Sequence, residues 1–368
     1  MTKWLKGRWL IPLFVLVLVL GACSSKEAEK SPVNNDPQDN SETVHPSGDL
    51  APLEKREKVV IAEDGAASGA GFYIATEKGY FEDYNIEVEF AQFSNSDDML
   101  PALAAGEVDI AGGVSTASFF NAIAQGIDVK IIADKGHNNP GKSYFTFVIG
   151  NHMVDEIKDY ADFKGKRIAV SSHNSIDEYI FEEMIKHAGL TKDDVEFVLM
   201  ADFGSMLGAI DGETIDAALN IEPLITQGVE NGFHVRFGDA TDYAPESQIA
   251  LVLGSPNFMN VEKDVSLRFM AAYLKGVRDY NDAFIKGINK DEIIDIMTKH
   301  TAMKDHELWE KVHVTGLDPD GKMFIDDILK QYDAYKANGA IRGEIDFDKA
   351  IDTSITEEAV EIIGEYER

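Results

Sequence analysis

The stretch at residues 58–93, KVVIAEDGAASGAGFYIATEKGYFEDYNIEVEFAQF, decides the fold. It begins with KVVIAED, which predicts a strand. The segment SGAGFYIATEKGYF predicts a helix, with Ser68 near its start and Gly79 just past its end. The segment IEVEFAQF alternates apolar and polar residues and predicts a second strand. A strand, a helix and a further strand in this order indicate a parallel sheet with helices on its faces.

The same alternation continues to residue 134 and starts again at residue 166. The chain therefore contains two α/β halves, at about 58–147 and 151–247, followed by a mostly helical C-terminal segment. Two extended stretches, YFTFVIG at 144–150 and IALVLG at 249–254, join the halves and lead out of the second one. These stretches are candidates for crossovers between two lobes.

The single cysteine of the 368 residues, Cys23, follows a short apolar run. Residues 1–9 carry three basic side chains and no acidic one, and residues 10–20 are almost entirely apolar. The small residues Gly21 and Ala22 come next, and this order is typical of a secretory signal. The sequence Leu20-Gly21-Ala22-Cys23 resembles the bacterial lipobox, in which the cysteine is lipidated and the chain is cut just before it. The resemblance implies a signal peptide over residues 1–22 and a lipid anchor on Cys23. The alternative is an ordinary secretory signal with a chance cysteine.

The acidic composition excludes some classes of partner. The net charge is −31 at pH 7, so nucleic acid is not expected as a partner, because a phosphate backbone requires a basic surface. Attraction to an anionic membrane surface is not expected either, so the lipid would have to provide the anchor. Residues 23–56 are polar and acidic with few bulky apolar side chains, and they predict a disordered tether.

Five segments follow one another in an order similar to that of the solute-binding proteins of ABC importers. They are FYIATEKGYFEDYNIEVEF, PALAAGEVDIAGG, NAIAQGIDVKIIAD, FKGKRIAVSS and IDAALNIEP. Together they resemble the group that serves sulfonates, taurine, nitrate and thiamine pyrimidine precursors (SsuA/THI5-like, NMT1-like), over nearly all of residues 58–368. Members of this group often carry an aromatic residue before the Pro of the last loop of lobe two, where this chain has Asn220-Ile221-Glu222-Pro223.

The resemblance implies an α/β clamshell of the type II periplasmic-binding-protein class, in which each lobe is a mostly parallel sheet flanked by helices. Lobe one would comprise residues 57–147 and 250–368, and lobe two residues 148–249. A small-molecule solute would bind between the lobes of a monomer on the extracytoplasmic face of the cell membrane. An ABC permease with its ATPase would then take the solute. No catalytic residue, cofactor or metal is expected.

Binding residues are expected in the turns that follow the strands, because ligands of open α/β sheets lie beyond the carboxyl ends of the strands and near helix starts. The loop SSHNS at 171–175 is the preferred contact. Each of the other candidates has an alternative role. The other serines and the threonine could cap helices without touching a ligand. The charged residues could lie on a solvated rim, and the phenylalanines could belong to the core. The candidate ligand-binding residues are Asp64, Ser68, Gly69, Phe72, Phe93, Ser115, Thr116, Lys135, His137, Ser172, His173, Asn174, Ser175, Asn220 and Glu222.

The charged candidates point to two classes of cargo. Lys135, His137 and His173 could face an anion, whereas Asp64 and Glu222 could face a cation or the amino groups of a heterocycle. The sequence leaves both open. The cargo is therefore expected to be a small organic sulfonate or related oxyanion, or else a pyrimidine- or flavin-like nitrogen heterocycle.

Two other functions stay open. A lipoprotein sensor or adhesin could use the same clamshell. Some relatives are enzymes that make the thiamine pyrimidine and use a cysteine cluster, but this chain has only Cys23.

Overall fold

The computed structural model describes residues 50–260 and 262–367. The predicted signal peptide at 1–22, the predicted lipid anchor on Cys23 and most of the predicted tether lie outside the described residues. The described chain forms an α/β fold with two mixed sheets, each flanked by helices, which confirms the predicted fold class. No helix within these ranges is both long enough and apolar enough to cross a bilayer.

The described residues contain ten strands and fourteen α-helices. The strands are β1 (Glu57–Glu63), β2 (Ile86–Gln92), β3 (Ile110–Val114), β4 (Lys130–Asn138), β5 (Phe145–Gly150), β6 (Arg167–Val170), β7 (Glu196–Leu199), β8 (Ala217–Ile221), β9 (His234–Asp239) and β10 (Ser247–Gly254). The helices are α1 (Ala70–Glu77), α2 (Tyr80–Asp83), α3 (Ser96–Ala105), α4 (Ala117–Ala124), α5 (Ile176–His187), α6 (Phe203–Asp211), α7 (Leu224–Glu230), α8 (Pro256–Asn260), α9 (Lys263–Lys286), α10 (Lys290–His300), α11 (His306–Trp309), α12 (Ile325–Ala337), α13 (Phe347–Ala350) and α14 (Ser354–Ile363).

Both sheets share one strand order. The sheet of lobe one is β2-β1-β3-β10-β4, and the sheet of lobe two is β7-β6-β8-β5-β9. In each sheet four strands run the same way, and the fifth, β10 or β5, pairs antiparallel with both of its neighbours. Because β5 follows β4 and β10 follows β9, each antiparallel strand enters its sheet directly after a crossover from the other lobe.

The crossovers themselves are short segments, residues 139–144 and 240–246. The predicted lobe boundaries, after residues 147 and 249, fall a few residues later, inside β5 and β10. Asn138 holds the first crossover, because its side-chain oxygen accepts backbone N–H groups from Tyr144 at 2.9 Å and Phe145 at 3.4 Å. The strands β5 and β10 are buried along their whole length, which is typical of strands covered on both faces and explains their continuous apolar runs.

The C-terminal helices belong to lobe one. The long helix α9 packs against α1, and the backbones touch where a Cβ on Gly276 would lie 2.2 Å from the carbonyl oxygen of Gly71. Only glycine leaves room for this approach. The helix of the N-terminal βαβ unit is thus fixed by a helix that is about 200 residues further along the chain.

The end of the predicted tether, residues 50–56, is packed rather than unstructured. Leu50 and Leu53 lie against the core of lobe one. Leu53 donates its backbone N–H to the carbonyl of Tyr84 at 3.1 Å, and Arg268 donates its Nε–H to the carbonyl of Ala51 at 2.7 Å. The two leucines supply the apolar surface that keeps this segment on the lobe.

Candidate functional site

A cleft between the lobes contains two adjoining cavities. Asp64, Ser94 and Phe203 line both of them, so the two cavities form one cleft. Most of the lining comes from the turns that follow β1, β2 and β3 in lobe one and β6, β7 and β8 in lobe two. This is the place where open α/β sheets bind ligands.

Lobe one contributes two carboxylates to the cleft. Asp64 follows β1 and its Oδ1 accepts the backbone N–H of Ala66 at 3.1 Å. Asp97 lies in the first turn of α3, and its Oδ1 accepts the hydroxyl of Thr116 at 2.9 Å. Thr116 in turn caps α4, because its Oγ1 accepts the backbone N–H of Phe119 at 3.1 Å. The turns of lobe one are therefore held by local hydrogen bonds.

Lobe two contributes an aromatic ring and a further carboxylate. Phe203 begins α6 and lines both cavities. Asp202 is the N-cap of α6, and its Oδ1 accepts the backbone N–H of Ser205 at 2.7 Å. Ser171 and Ser172, directly after β6, line the first cavity. The wall from lobe two is thus partly apolar and partly acidic.

The lobes touch each other at two places beside the cleft. At one, the backbone N–H of Ala117 donates to the carbonyl of Asn174 at 2.9 Å. Beside it, the backbones of Thr116 and Ser175, the N-cap residues of α4 and α5, form a β-bridge. At the other, Glu222 of lobe two accepts the backbone N–H of Ala67 on its carbonyl at 3.2 Å and that of His313 on its Oε1 at 3.3 Å. The two lobes are therefore in direct contact at both places.

The carboxylate of Glu222 has a cationic partner in its own lobe. Arg236 donates its Nη2–H to Glu222 Oε1 at 2.6 Å, and the Thr226 hydroxyl donates to the same oxygen at 3.1 Å. Glu222 is 2% exposed. Arg236 consequently compensates the charge of Glu222 within lobe two. The hydrogen bonds of Glu222 connect it to groups of both lobes.

A buried ion pair lies behind Asp64. Lys135 Nζ is 2.9 Å from Glu63 Oε1 and 3.9 Å from Asp64 Oδ1, and it donates to the Ser68 hydroxyl at 3.2 Å. The side chains of Lys135 and Glu63 are only 1% and 2% exposed. Burial raises the pKa of Glu63 to about 7, although Lys135 acts in the opposite direction. Burial opposes the charge on Lys135, but Glu63 and Asp64 outweigh it and raise the pKa of Lys135.

The structure brings four of the predicted binding residues to the cavities. They are Asp64, Thr116, Ser172 and Glu222. The other predicted residues do not line either cavity; they are Ser68, Gly69, Phe72, Phe93, Ser115, Lys135, His137, His173, Asn174, Ser175 and Asn220.

Several of these residues are buried and have partners inside the protein. The ring of Phe72 packs against Tyr273 at a centroid distance of 4.6 Å, with no exposed surface. Ser115 donates to the side chain of Gln331. The amide of Asn220 donates to the carbonyl of Phe203 at 3.3 Å. These side chains shape the lobes rather than the surface of the cleft.

The remaining turn residues are used locally. Ser175 donates its hydroxyl to the carbonyl of Ser172 at 2.7 Å, and the exposed His173 pairs with Glu178 at 3.0 Å. Asn174 adopts the left-handed conformation, with φ 54°.

The other three candidates also lie away from the cleft. His137 is paired with Asp134 and lines a separate cavity in lobe one. Phe93 packs against a second apolar cluster of that lobe. A Cβ on Gly69 would lie 2.5 Å from the ring of Tyr73, so the lack of a side chain at position 69 leaves room for that ring.

Sequence reasoning missed part of the lining. Ser94 and Asp97, which follow β2, are not among the predicted binding residues, although both line the cleft. Sequence reasoning also did not select Asp202 and Phe203, at the start of α6. The residue types gave no signal for Phe203, because an aromatic residue at a helix start is more often core.

The described residues contain no group of three or more His, Cys, Asp or Glu side chains that could hold a metal ion. The site is thus a polar, acidic cleft with one aromatic wall.

Comparisons with solved structures support the fold. The ligand-binding component of an ABC-type import system from Staphylococcus aureus, solved with zinc bound, has a TM-score of 0.68 at 17% identity, covering 82% of this chain and 99% of that one. The alkanesulfonate-binding protein of Xanthomonas axonopodis pv. citri bound to MOPS has a TM-score of 0.63 at 15% identity, covering 80% and 98%.

Curated relatives match part of the chain, among them one from Brucella abortus and one from Candida albicans. A protein of Brucella abortus that carries the name of a binding protein is 25% identical over 239 residues, 61% of this chain, and the match spans only 66% of that relative's length. The 4-amino-5-hydroxymethyl-2-methylpyrimidine phosphate synthase of Candida albicans is 28% identical over 171 residues, 46% of this chain and 47% of the synthase. The model of the NMT1/THI5 like family matches residues 67–282, more than half of the chain, and the protein therefore belongs to that family.

Proposed function

We propose that the protein captures a small solute between its two lobes and delivers it to an ABC-type import permease, without covalent chemistry. The observation that carries this proposal is the cleft, which is lined by strand-end turns of both lobes. A solute held there contacts both lobes at once and stabilises the closed form over an open one. Closure is then the signal that the permease reads.

The comparisons support the transport role through the fold. The Staphylococcus aureus neighbour is a ligand-binding component of an import system, and the Xanthomonas neighbour is an alkanesulfonate-binding protein. By analogy, we propose that this chain works as a monomer on the extracytoplasmic face of the membrane, anchored through a lipid on Cys23. Two acyl chains there would be enough for stable anchoring.

The match to the Candida albicans synthase favours one other candidate, an enzyme of pyrimidine synthesis. Against it, the chain has a single cysteine, at position 23, so it has no second thiol for a cysteine cluster. Mass spectrometry for newly formed 4-amino-5-hydroxymethyl-2-methylpyrimidine phosphate, after incubation of the protein in a cell extract, separates this candidate from a binding protein.

The binding role is tested by filling the cleft. Ser172 lines the first cavity, and Ser172→Trp should place an indole where the solute sits. The matched control is Ser118→Trp, because Ser118 is exposed on α4 and lines neither cavity. A thermal-shift screen with sulfonates, nitrate, amines and nitrogen heterocycles would be run on the wild type and both variants. A ligand at about 100 times its dissociation constant stabilises the folded protein by roughly 2.7 kcal/mol, which is easily detected.

We expect at least one solute to raise the melting temperature of the wild type and of Ser118→Trp but not of Ser172→Trp. A solute that stabilises all three proteins equally would place the binding site outside the cleft. If no solute stabilises the wild type, the solute-binding proposal fails for this panel.

The lipid anchor has a separate test. Cys23→Ala should move the protein expressed in a bacterial host from the detergent phase to the aqueous phase in Triton X-114 partitioning. Its control is the unchanged protein, expressed and fractionated in parallel. A variant that stays in the detergent phase would rule out Cys23 as the anchor.

A further inference from the structure

The charges around the cleft are unequal. Among the described residues that line the two cavities, none is Lys, Arg or His, whereas four are acidic. The acidic residues are Asp64, Asp97, Asp202 and Glu222. An anion in this cleft would therefore meet like charges, and a cation would meet opposite ones.

The two cations behind the lining are already paired with carboxylates. Lys135 is buried and lies closer to Glu63, at 2.9 Å, than to Asp64, at 3.9 Å. Arg236 pairs with Glu222 at 2.6 Å. Each cation is thus matched by one carboxylate, which leaves the charge on Asp64 only partly compensated.

The remaining carboxylates accept hydrogen bonds from neutral donors only, as far as the described contacts go. Asp97 accepts from the Thr116 hydroxyl and Asp202 from a backbone N–H. Both residues lie at the starts of helices, α3 and α6, that line the cleft. A helix start favours an anionic ligand, but here the chain's own carboxylates occupy these positions.

We propose that the cleft selects a solute with a positively charged nitrogen group, an ammonium or amidinium, held by Asp64 and Asp97 beside the ring of Phe203. This inference rests on the proposed solute-binding function and specifies the charge of the solute. The acidic groups supply the counter-charge and accept the N–H donors. Phe203 supplies an aromatic face, on which organic cations are stabilised.

The experiment measures binding of probes that differ in charge but not in shape. Benzamidine, benzamide and benzenesulfonate share a phenyl ring and are cationic, neutral and anionic. Agmatine, choline, taurine and nitrate extend the series. Titration calorimetry would be run on the full chain and on Asp64→Asn, which keeps the size of the side chain. The control is Asp333→Asn, which removes the same charge from an exposed position on α12.

We expect cationic probes to bind the wild type and Asp333→Asn alike, and Asp64→Asn to weaken them by about tenfold or more. A second variant, Asp97→Asn, should weaken the same probes, which guards against a local effect at position 64. Preferential binding of an anionic or neutral probe, or cation binding that Asp64→Asn leaves unchanged, would overturn the charge inference and leave the solute-binding function intact. If no probe of any charge binds, the inference and the proposed function both fail.

Discussion

Removal of one partner from the buried pair of Lys135 and Glu63 should cost more stability than removal of one partner from any exposed ion pair of the described residues. Replacing Lys135 by methionine keeps the length and much of the volume of the side chain but removes its charge. Glu63, with a side chain 2% exposed, then has no ammonium group beside it. We expect Lys135→Met to be strongly destabilised at about pH 8, where Glu63 is mostly ionised in the wild type.

The size of the loss follows from the geometry. Two unit charges 2.9 Å apart attract each other by about 6 kcal/mol at an effective dielectric constant of about 20. Because the burial of both charges already costs several kcal/mol, the pair adds less than this to the free energy of unfolding. Removal of one partner nevertheless leaves the other charge buried alone, which typically costs about 3–5 kcal/mol.

Urea unfolding followed by circular dichroism would measure the free energy of unfolding of Lys135→Met, Glu63→Gln and the double variant. The double variant should be more stable than Lys135→Met alone, because neither charge is then buried without a partner. Lys330→Met, at an exposed position of α12, should change stability by less than about 0.5 kcal/mol. A loss below about 1 kcal/mol in Lys135→Met, or a double variant with the sum of both single losses, would refute the reasoning.

Two further predictions concern the same pair. The pKa of Glu63 in the folded protein, about 7, lies above its ordinary value of 4.5. Between these two pH values the folded protein therefore binds more protons than the unfolded chain. The free energy of unfolding should consequently fall by up to about 3 kcal/mol as the pH rises from about 4.5 to about 7. Glu63→Gln should remove that part of the pH profile of the melting temperature, and a slope as steep as that of the wild type would contradict the assignment. A Cβ on Gly112 would lie 2.3 Å from Glu63 Oε1 and 2.4 Å from Lys135 Cε, so Gly112→Ala should lose about 1–3 kcal/mol in urea unfolding. Gly113→Ala, whose Cβ would meet Ser96 Cβ at 3.1 Å, should lose less, and equal losses would argue against the pair as the cause.

The fold could be predicted because its signals are local and repeated. The alternation from residue 58 gave the βαβ units, and the continuous apolar runs at 144–150 and 249–254 gave the two strands that follow the crossovers. The order of the strands within each sheet had no such signal, since pairing β10 between β3 and β4 depends on contacts more than 100 residues apart. The packing of residues 50–56 was also hidden, because two leucines in a polar segment do not indicate a docking surface.

The candidate site could be predicted only to the level of turns. Four of the predicted residues line the cavities because strand ends converge there whatever their side chains are. Which side chain of a turn faces the cavity depends on the local hydrogen bonds. Ser172 lines it whereas Ser175 turns inward to the carbonyl of Ser172, and nothing in the letters SSHNS separates the two.

The charge of the cargo shows why composition could not replace geometry. Lys135 was one of the three residues, with His137 and His173, that the sequence offered as partners of an anion. The structure pairs it with Glu63, a residue inside β1 that the sequence presented only as part of a strand. Once that pair is formed, the lysine no longer offers an uncompensated charge, and Asp64 is the charged group of this cluster that lines the cleft. The neighbours from Staphylococcus aureus and Xanthomonas axonopodis share the scaffold at 17% and 15% identity, and a shared scaffold does not by itself fix the charge that a cleft presents.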